Sequence, residues 1–202
     1  MESLAIISSI NEIYERFNIM PYLQLHMRRV AAVGELILSA ESDASKDDVV
    51  AALLLHDLGN IVKFRLEEED ATWKKIQQEM IAKYGSVDHG ATEKMVHELG
   101  VNDRVASLIA GMGFDNLPGV IESSDRELKI CLYSDQRVAP YGVVSLQERF
   151  ADLRKRYKGT ALASRFDEAQ EERALLLEQQ IFNDLSLKPS EINDLTIAGF
   201  LK

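Results

Sequence analysis

Apolar residues recur at intervals of three and four along most of the chain, and this helical period limits its fold more than any other feature. The period predicts one helix from Pro21 to about Ala40. It predicts another helix from Ser45, which is a predicted helix cap, through Leu55. Four prolines and 11 glycines leave few of the tight turns that an all-β chain needs. The sequence therefore predicts an all-α helical bundle without a credible strand.

Composition and charge exclude several classes of protein. With 46% hydrophobic residues among 202, the chain can bury the core of one domain. A net charge of −10 argues against binding to a nucleic-acid polymer or an anionic membrane. The lone Cys131 excludes an intrachain disulfide and a cysteine-based zinc site. We expect a soluble, cytoplasmic protein, because no basic signal region and no membrane-length apolar run is present.

Three predicted helices place polar groups where their apolar faces require core residues. His26 lies on such a face, His56 ends another with Asp57 beside it, and Asp135 lies on a third. Each alone is typical of a hydrogen-bonded core residue or a local ion pair. The set of four residues needs another explanation, because burying a carboxylate without a partner costs several kcal/mol of folding free energy. One divalent cation would satisfy all four groups.

The donor types indicate the class of ion. Two nitrogens and two carboxylates without a thiolate suit Mn²⁺, Fe²⁺, Co²⁺, Ni²⁺ or Zn²⁺. An ion that prefers about six ligands keeps about two positions for water and substrate. Such an open site can bind a phosphoryl oxygen and lower the pKa of a bound water, so hydrolysis is its natural use.

The order of His26, then the pair His56-Asp57, then Asp135 resembles the HD-domain family of metal-dependent phosphohydrolases. The resemblance implies a helical bundle that hydrolyses phosphate esters, often of nucleotides. It also implies that these four residues bind one divalent metal. The match runs from about residue 21 to residue 141.

The resemblance suggests how the chain is organised. We expect a single helical domain over residues 1–202, with an HD core over about 21–141 and C-terminal helices over about 145–202 packed on it. The role of those later helices stays open between a cover for the bundle, a lid over the substrate and a homodimer interface.

Two departures from the family pattern limit the expected number of metal ions and the expected activities. Some members bind a second metal through two further histidines; His89 resembles the first, but no histidine falls near Gly111–Asp115. A second metal is therefore not expected, although Asp115 is an alternative ligand. Asn60 stands where two nucleotide-hydrolysing branches carry glutamate, which weighs against those activities and leaves the general acid unassigned.

Catalysis and substrate binding need further side chains. We assign Asp57 a catalytic role, in which it orients the attacking water beside the ion. Charge on the phosphoryl oxygens needs cations, and Arg29, Lys63 and Arg137 are candidates in that order. His89 is a further candidate substrate contact. The expected partner is a small phosphorylated substrate such as a nucleotide, with mono- and diesters both open.

Two other functions and a metal-free helical scaffold remain as alternatives. Asn60 and the missing histidine are compatible with a metal-binding HD-domain module that binds ligand or signals without catalysis. A di-iron oxygenase is less favoured, because the missing histidine counts against two metals.

Overall fold

The computed structural model describes residues 1–41, 46–67 and 70–201, and it confirms the predicted all-α fold. Within these ranges the chain forms twelve α-helices and one two-stranded antiparallel hairpin. The helices are α1 Ser3–Ser8, α2 Ile10–Arg16, α3 Pro21–Ser39, α4 Lys46–Leu55, α5 Ala71–Tyr84, α6 Asp88–Leu99, α7 Asp103–Gly111, α8 Leu117–Glu122, α9 Arg126–Gln136, α10 Leu146–Tyr157, α11 Glu168–Phe182 and α12 Asp194–Ile197. The strands are β1 Val138–Ala139 and β2 Gly142–Val143.

Helix α4 is the centre of the bundle. Every residue from Val49 to Leu55 is buried, and α1, α3, α7 and α9 pack around it. A helix that is apolar on all sides can only be stable inside such a shell, because any exposed side would leave apolar surface in water. The predicted cap of this helix, Ser45, lies outside the described residues.

A glycine lets α3 approach α4 and α9 closely. A Cβ at Gly34 would overlap the Leu53 side chain and lie 3.3 Å from Ser134 Oγ. The helices that carry the candidate ligands therefore meet at a distance that any larger residue would increase.

The sequence predicts a helix that begins at Pro21, a helix cap at Asn102 and a capping box from Ser145 to Glu148, and the structure agrees at all three. Helix α3 begins at Pro21, the Asn102 side chain accepts a hydrogen bond from Val105 N at the start of α7, and Ser145 and Glu148 form a capping box at the start of α10.

Two predictions about local structure are wrong. The helical spacing of apolar residues from Leu4 to Phe17 predicts one unbroken first helix that ends near Asn18. The helix instead breaks at Ser9, whose hydroxyl donates to the Ala5 carbonyl and competes with the helical pattern. The prediction that no strand forms fails at β1 and β2, where Val138 pairs with Val143. Two-residue strands are too short to leave an alternating pattern in the sequence.

The C-terminal helices pack on the bundle, as expected. Helix α11 contacts α8, α9 and α10, and it adds Ala174, Leu177 and Ile181 to the hydrophobic core. In the described parts of the chain, no helix has the length and apolar character that crossing a membrane would require.

Candidate metal centre

The predicted ligands come from three helices that share one end of the bundle. His26 lies in the second turn of α3, His56 and Asp57 follow the last residue of α4, and Asp135 lies in the last turn of α9. Because α3 and α9 both pack on α4, these side chains meet beside its C-terminus.

The polar atoms of the four side chains converge. Nε2 of His26 lies 3.2 Å from Asp135 Oδ1 and 3.6 Å from Asp57 Oδ2. Nε2 of His56 lies 3.5 Å and 3.7 Å from the same two oxygens. The donor atoms of His26, His56 and Asp135 all lie within 4.8 Å of one another, which is the spacing of ligands that share one ion.

The orientation of His56 suits a metal ligand. Its Nδ1 lies 2.7 Å from the Leu53 carbonyl oxygen, which fixes Nδ1 as the donor and leaves Nε2 as a lone-pair nitrogen in the neutral ring. That Nε2 is buried and makes no hydrogen bond. A buried nitrogen without a hydrogen bond, aimed at two carboxylates, is the arrangement that a bound cation would satisfy.

The site is electrostatically strained without a cation, yet it is open on one side. Burial lowers the pKa of His56, but Asp57 and Asp135 outweigh it and raise that pKa from 6.5 to about 9. Burial raises the pKa of Asp135, but the His26 and His56 imidazoles beside its carboxylate outweigh burial and hold that pKa well below its usual range. The side chains of His26, Asp57 and Asp135 keep 18–22% of their surface exposed, so a small molecule can reach them.

The chain belongs to the HD-domain family. The family model matches residues 24–135, which begin just before His26 and end at Asp135. This match confirms the resemblance that the sequence indicated. HD domains form a superfamily of metal-dependent phosphohydrolases and bind divalent metals. No curated protein and no solved structure matches the chain at a significant level.

Lys63 lies at the edge of this centre. Its ammonium group is 2.6 Å from Asp88 Oδ2 at the start of α6. Burial lowers the pKa of Lys63, but the Asp57 and Asp88 carboxylates outweigh it and leave that pKa raised. Gly59 permits this arrangement, because a Cβ there would lie 2.5 Å from the Thr92 nitrogen of α6.

The other predicted substrate contacts have protein partners. Arg29 Nε lies 3.5 Å from Asp194 of α12. His89 is 41% exposed, and its Nε2 lies 3.6 Å from Glu93 one turn further along α6. For both residues a role in substrate binding stays a prediction.

Arg137 was also predicted to contact substrate, but its guanidinium is buried and donates to protein oxygens. Its side chain is 3% exposed, and all three guanidinium nitrogens donate to protein oxygens. The acceptors are the Val144, Pro189 and Ile192 carbonyls and the Tyr133 hydroxyl. Arg137 directly follows the last residue of α9, and its side chain lies at the junction with the C-terminal segment.

Asp115, the alternative ligand for a second metal, already has a protein partner. Its carboxylate forms a two-point ion pair with the guanidinium of Arg165, which lowers the Asp115 pKa. Among the described residues, only the group formed by His26, His56 and Asp135 has three donors close enough to share an ion.

Sequence reasoning did not single out Arg149, a cation that lies on the side of α10 facing the core. Its side chain is 12% exposed, and it lies three residues after Leu146 and four before Leu153, which are both buried. That helical spacing could have identified it as an arginine on an apolar face.

Proposed function

We propose that this protein is a metal-dependent phosphohydrolase that acts on a small phosphate ester, with nucleotides as the substrate class. The observation that carries the proposal is the convergence of two imidazole nitrogens and two carboxylate oxygens at 3.2–3.7 Å. Membership of the HD-domain family supports the same chemistry.

The residues fit a single divalent ion. His26, His56, Asp57 and Asp135 would hold it, and their nitrogen and carboxylate donors suit Mn²⁺, Fe²⁺, Co²⁺, Ni²⁺ or Zn²⁺. A bound ion of this class polarises a phosphoryl oxygen and lowers the pKa of a coordinated water.

The surrounding side chains have separate tasks. Asp57 is 22% exposed and adjoins the open side, where its carboxylate can accept a hydrogen bond from the attacking water and orient it. Lys63 is close enough to Asp57 for their charges to interact, and its ammonium can donate to a phosphoryl oxygen as negative charge develops there. His56 is held by the Leu53 carbonyl and keeps its ring fixed during turnover.

The direct test is hydrolysis of a panel of phosphate mono- and diesters, nucleotides included, with Mn²⁺, Co²⁺ or Ni²⁺ added. We expect the wild-type protein to release phosphate or cleave a diester, and Asp57→Asn to lose at least about 100-fold in kcat/KM, because a general base or water-orienting group contributes about that much. His97→Gln is the matched control, since it removes an exposed histidine outside the site.

Equal activity of the wild type and Asp57→Asn would refute the assignment. Bound metal without turnover on the whole panel, together with saturable nucleotide binding, would select the alternative of a non-catalytic HD-domain module.

A further inference from the structure

We propose that Arg149 of α10 binds the phosphoryl oxygens of the substrate at the metal centre, so that a helix outside the matched HD segment completes the active site. This inference rests on the proposed function and extends it. It assigns the anion-binding role to a residue of the C-terminal helices, whose contribution the sequence left open.

Arg149 is a buried cation whose hydrogen bonds are incomplete. Its Nε atom is buried and makes no hydrogen bond. The nearest carboxylate, Asp152, lies 3.8 Å from an outer nitrogen, which is beyond hydrogen-bond distance. Asp152 is instead 2.5 Å from Arg156, so its charge is already paired.

Another arginine of the same helix shows the contrast. Arg154 points toward α11 and lies 2.5 Å from Glu171. A largely buried guanidinium that lacks such a partner is costly to keep, unless an anion completes its hydrogen bonds in the working protein.

The fold directs Arg149 toward the metal centre. Helix α9 ends at Gln136, the residue after Asp135, and the hairpin β1–β2 then returns the chain to α10. Strand β1 contacts α3, α9 and α10, so the two ligand-bearing helices and α10 meet around it. Burial lowers the pKa of Arg149, and the Asp135 carboxylate is close enough to oppose that shift.

Lys63 and Arg149 thus approach the same centre from two elements. The charge of Asp57 acts on Lys63, and the charge of Asp135 acts on Arg149. Tyr157, the last residue of α10, lies within electrostatic range of both cations.

The chemistry around the metal centre favours a phosphoryl group. A divalent ion at the centre would neutralise Asp57 and Asp135, which leaves Arg149 as an excess positive charge. A guanidinium offers parallel N–H donors that match two oxygens of a phosphate, and this geometry gives orientation as well as attraction. The ligand class is therefore a phosphate ester with two non-bridging oxygens, and inorganic phosphate presents the same group.

The experiment measures calorimetric binding of inorganic phosphate to protein loaded with Mn²⁺ and freed of excess metal. Wild type is compared with Arg149→Gln, Arg149→Lys and Lys155→Gln; the last removes an exposed charge from the same helix. Metal content and thermal unfolding are recorded for each variant, so that binding is compared only between loaded, folded proteins.

We expect Arg149→Gln to weaken phosphate binding about 10- to 100-fold, because hydrogen bonds to charged groups contribute that order of free energy. Arg149→Lys keeps the charge but loses the paired donors, and we expect an intermediate loss of about 3- to 10-fold. If Arg149→Gln does not fold, the phosphate affinity of Arg149→Lys tests the inference in its place. Lys155→Gln should bind phosphate as the wild type does.

The inference is wrong if the wild type does not bind phosphate. It is also wrong if Arg149→Gln or Arg149→Lys binds phosphate as tightly as Lys155→Gln does. Hydrolysis by the wild type would still support the proposed function in that case. Phosphate binding that depends on Arg149 in a protein without turnover would uphold the anion site while the proposed function fails.

Discussion

At the scale of single residues, the candidate site depends on the state of His56. The imidazole is buried, its Nδ1 is held by the Leu53 carbonyl, and two carboxylates face its Nε2. Without metal, a proton on Nε2 is the nearest substitute for the ion, and this explains the raised pKa of His56.

This predicts how the metal-free protein responds to pH. The folded-state pKa of His56, about 9, lies above its unfolded value of 6.5, so its proton stabilises the fold below pH 6.5 and that contribution disappears as pH rises through 9. The free energy of unfolding should fall by up to about 3 kcal/mol across this window. Urea unfolding with a chelator present, at pH 6.5 and 9.5, measures the change.

The control for this titration is His56→Gln, which keeps a polar side chain but cannot titrate. Its free energy of unfolding should decrease less between the two pH values. Parallel decreases in both proteins would assign the pH dependence to other groups.

At the scale of secondary-structure elements, the ligand geometry depends on how closely α3 packs on α4 and α9. Gly34 faces Leu53 and Ser134, eight residues after His26 along α3. A larger side chain at this position would push the helices apart, and His26 would move away from Asp135.

Gly34→Ala should therefore destabilise the protein by about 1–3 kcal/mol and weaken metal binding, since overpacking a tight core costs that much. Gly119→Ala is the control, because a Cβ there meets no atom within 4 Å. That change in α8 should be neutral or stabilise by about 0.5–1 kcal/mol. Thermal unfolding and metal titration test both variants, and equal behaviour would contradict the close-packing explanation.

The elements also show what the sequence could predict. Helices with a clear apolar face, such as α3 and α10, have the predicted starts, because their caps and periodicity are local properties. The break at Ser9 depends on a hydroxyl competing for one carbonyl, and the hairpin β1–β2 is too short for a periodic signal. The helix break and the hairpin each depend on a few local contacts, which hydrophobic periodicity over many residues does not detect.

At the scale of the whole molecule, Arg137 connects the HD segment to the C-terminal helices. It follows α9, yet its guanidinium donates to the Val144, Pro189 and Ile192 carbonyls. The sequence placed His26, His56, Asp57 and Asp135 in one cluster because helical faces and the family order locate them. It could not assign Arg137 or Asp115, because their environments include the Pro189 and Ile192 carbonyls and Arg165, which lie 50 or more residues away along the chain.

Arg137→Met should destabilise the protein by about 3–5 kcal/mol, because it leaves Glu178 without its buried partner and several carbonyls without donors. Arg154→Met breaks a half-exposed ion pair and should cost about 1 kcal/mol or less. Urea unfolding of both variants compares them directly. Equal losses would show that Arg137 does not connect the two parts of the fold.

The most direct test of the whole account is the metal content of the purified protein after loading with Mn²⁺ and desalting, measured by mass spectrometry. We predict a single divalent ion per chain in the wild type and in His97→Gln, and almost none in a folded double variant carrying His56→Gln and Asp135→Asn. A wild type without bound metal, or a double variant that keeps its ion, would contradict a metal centre at the end of α4.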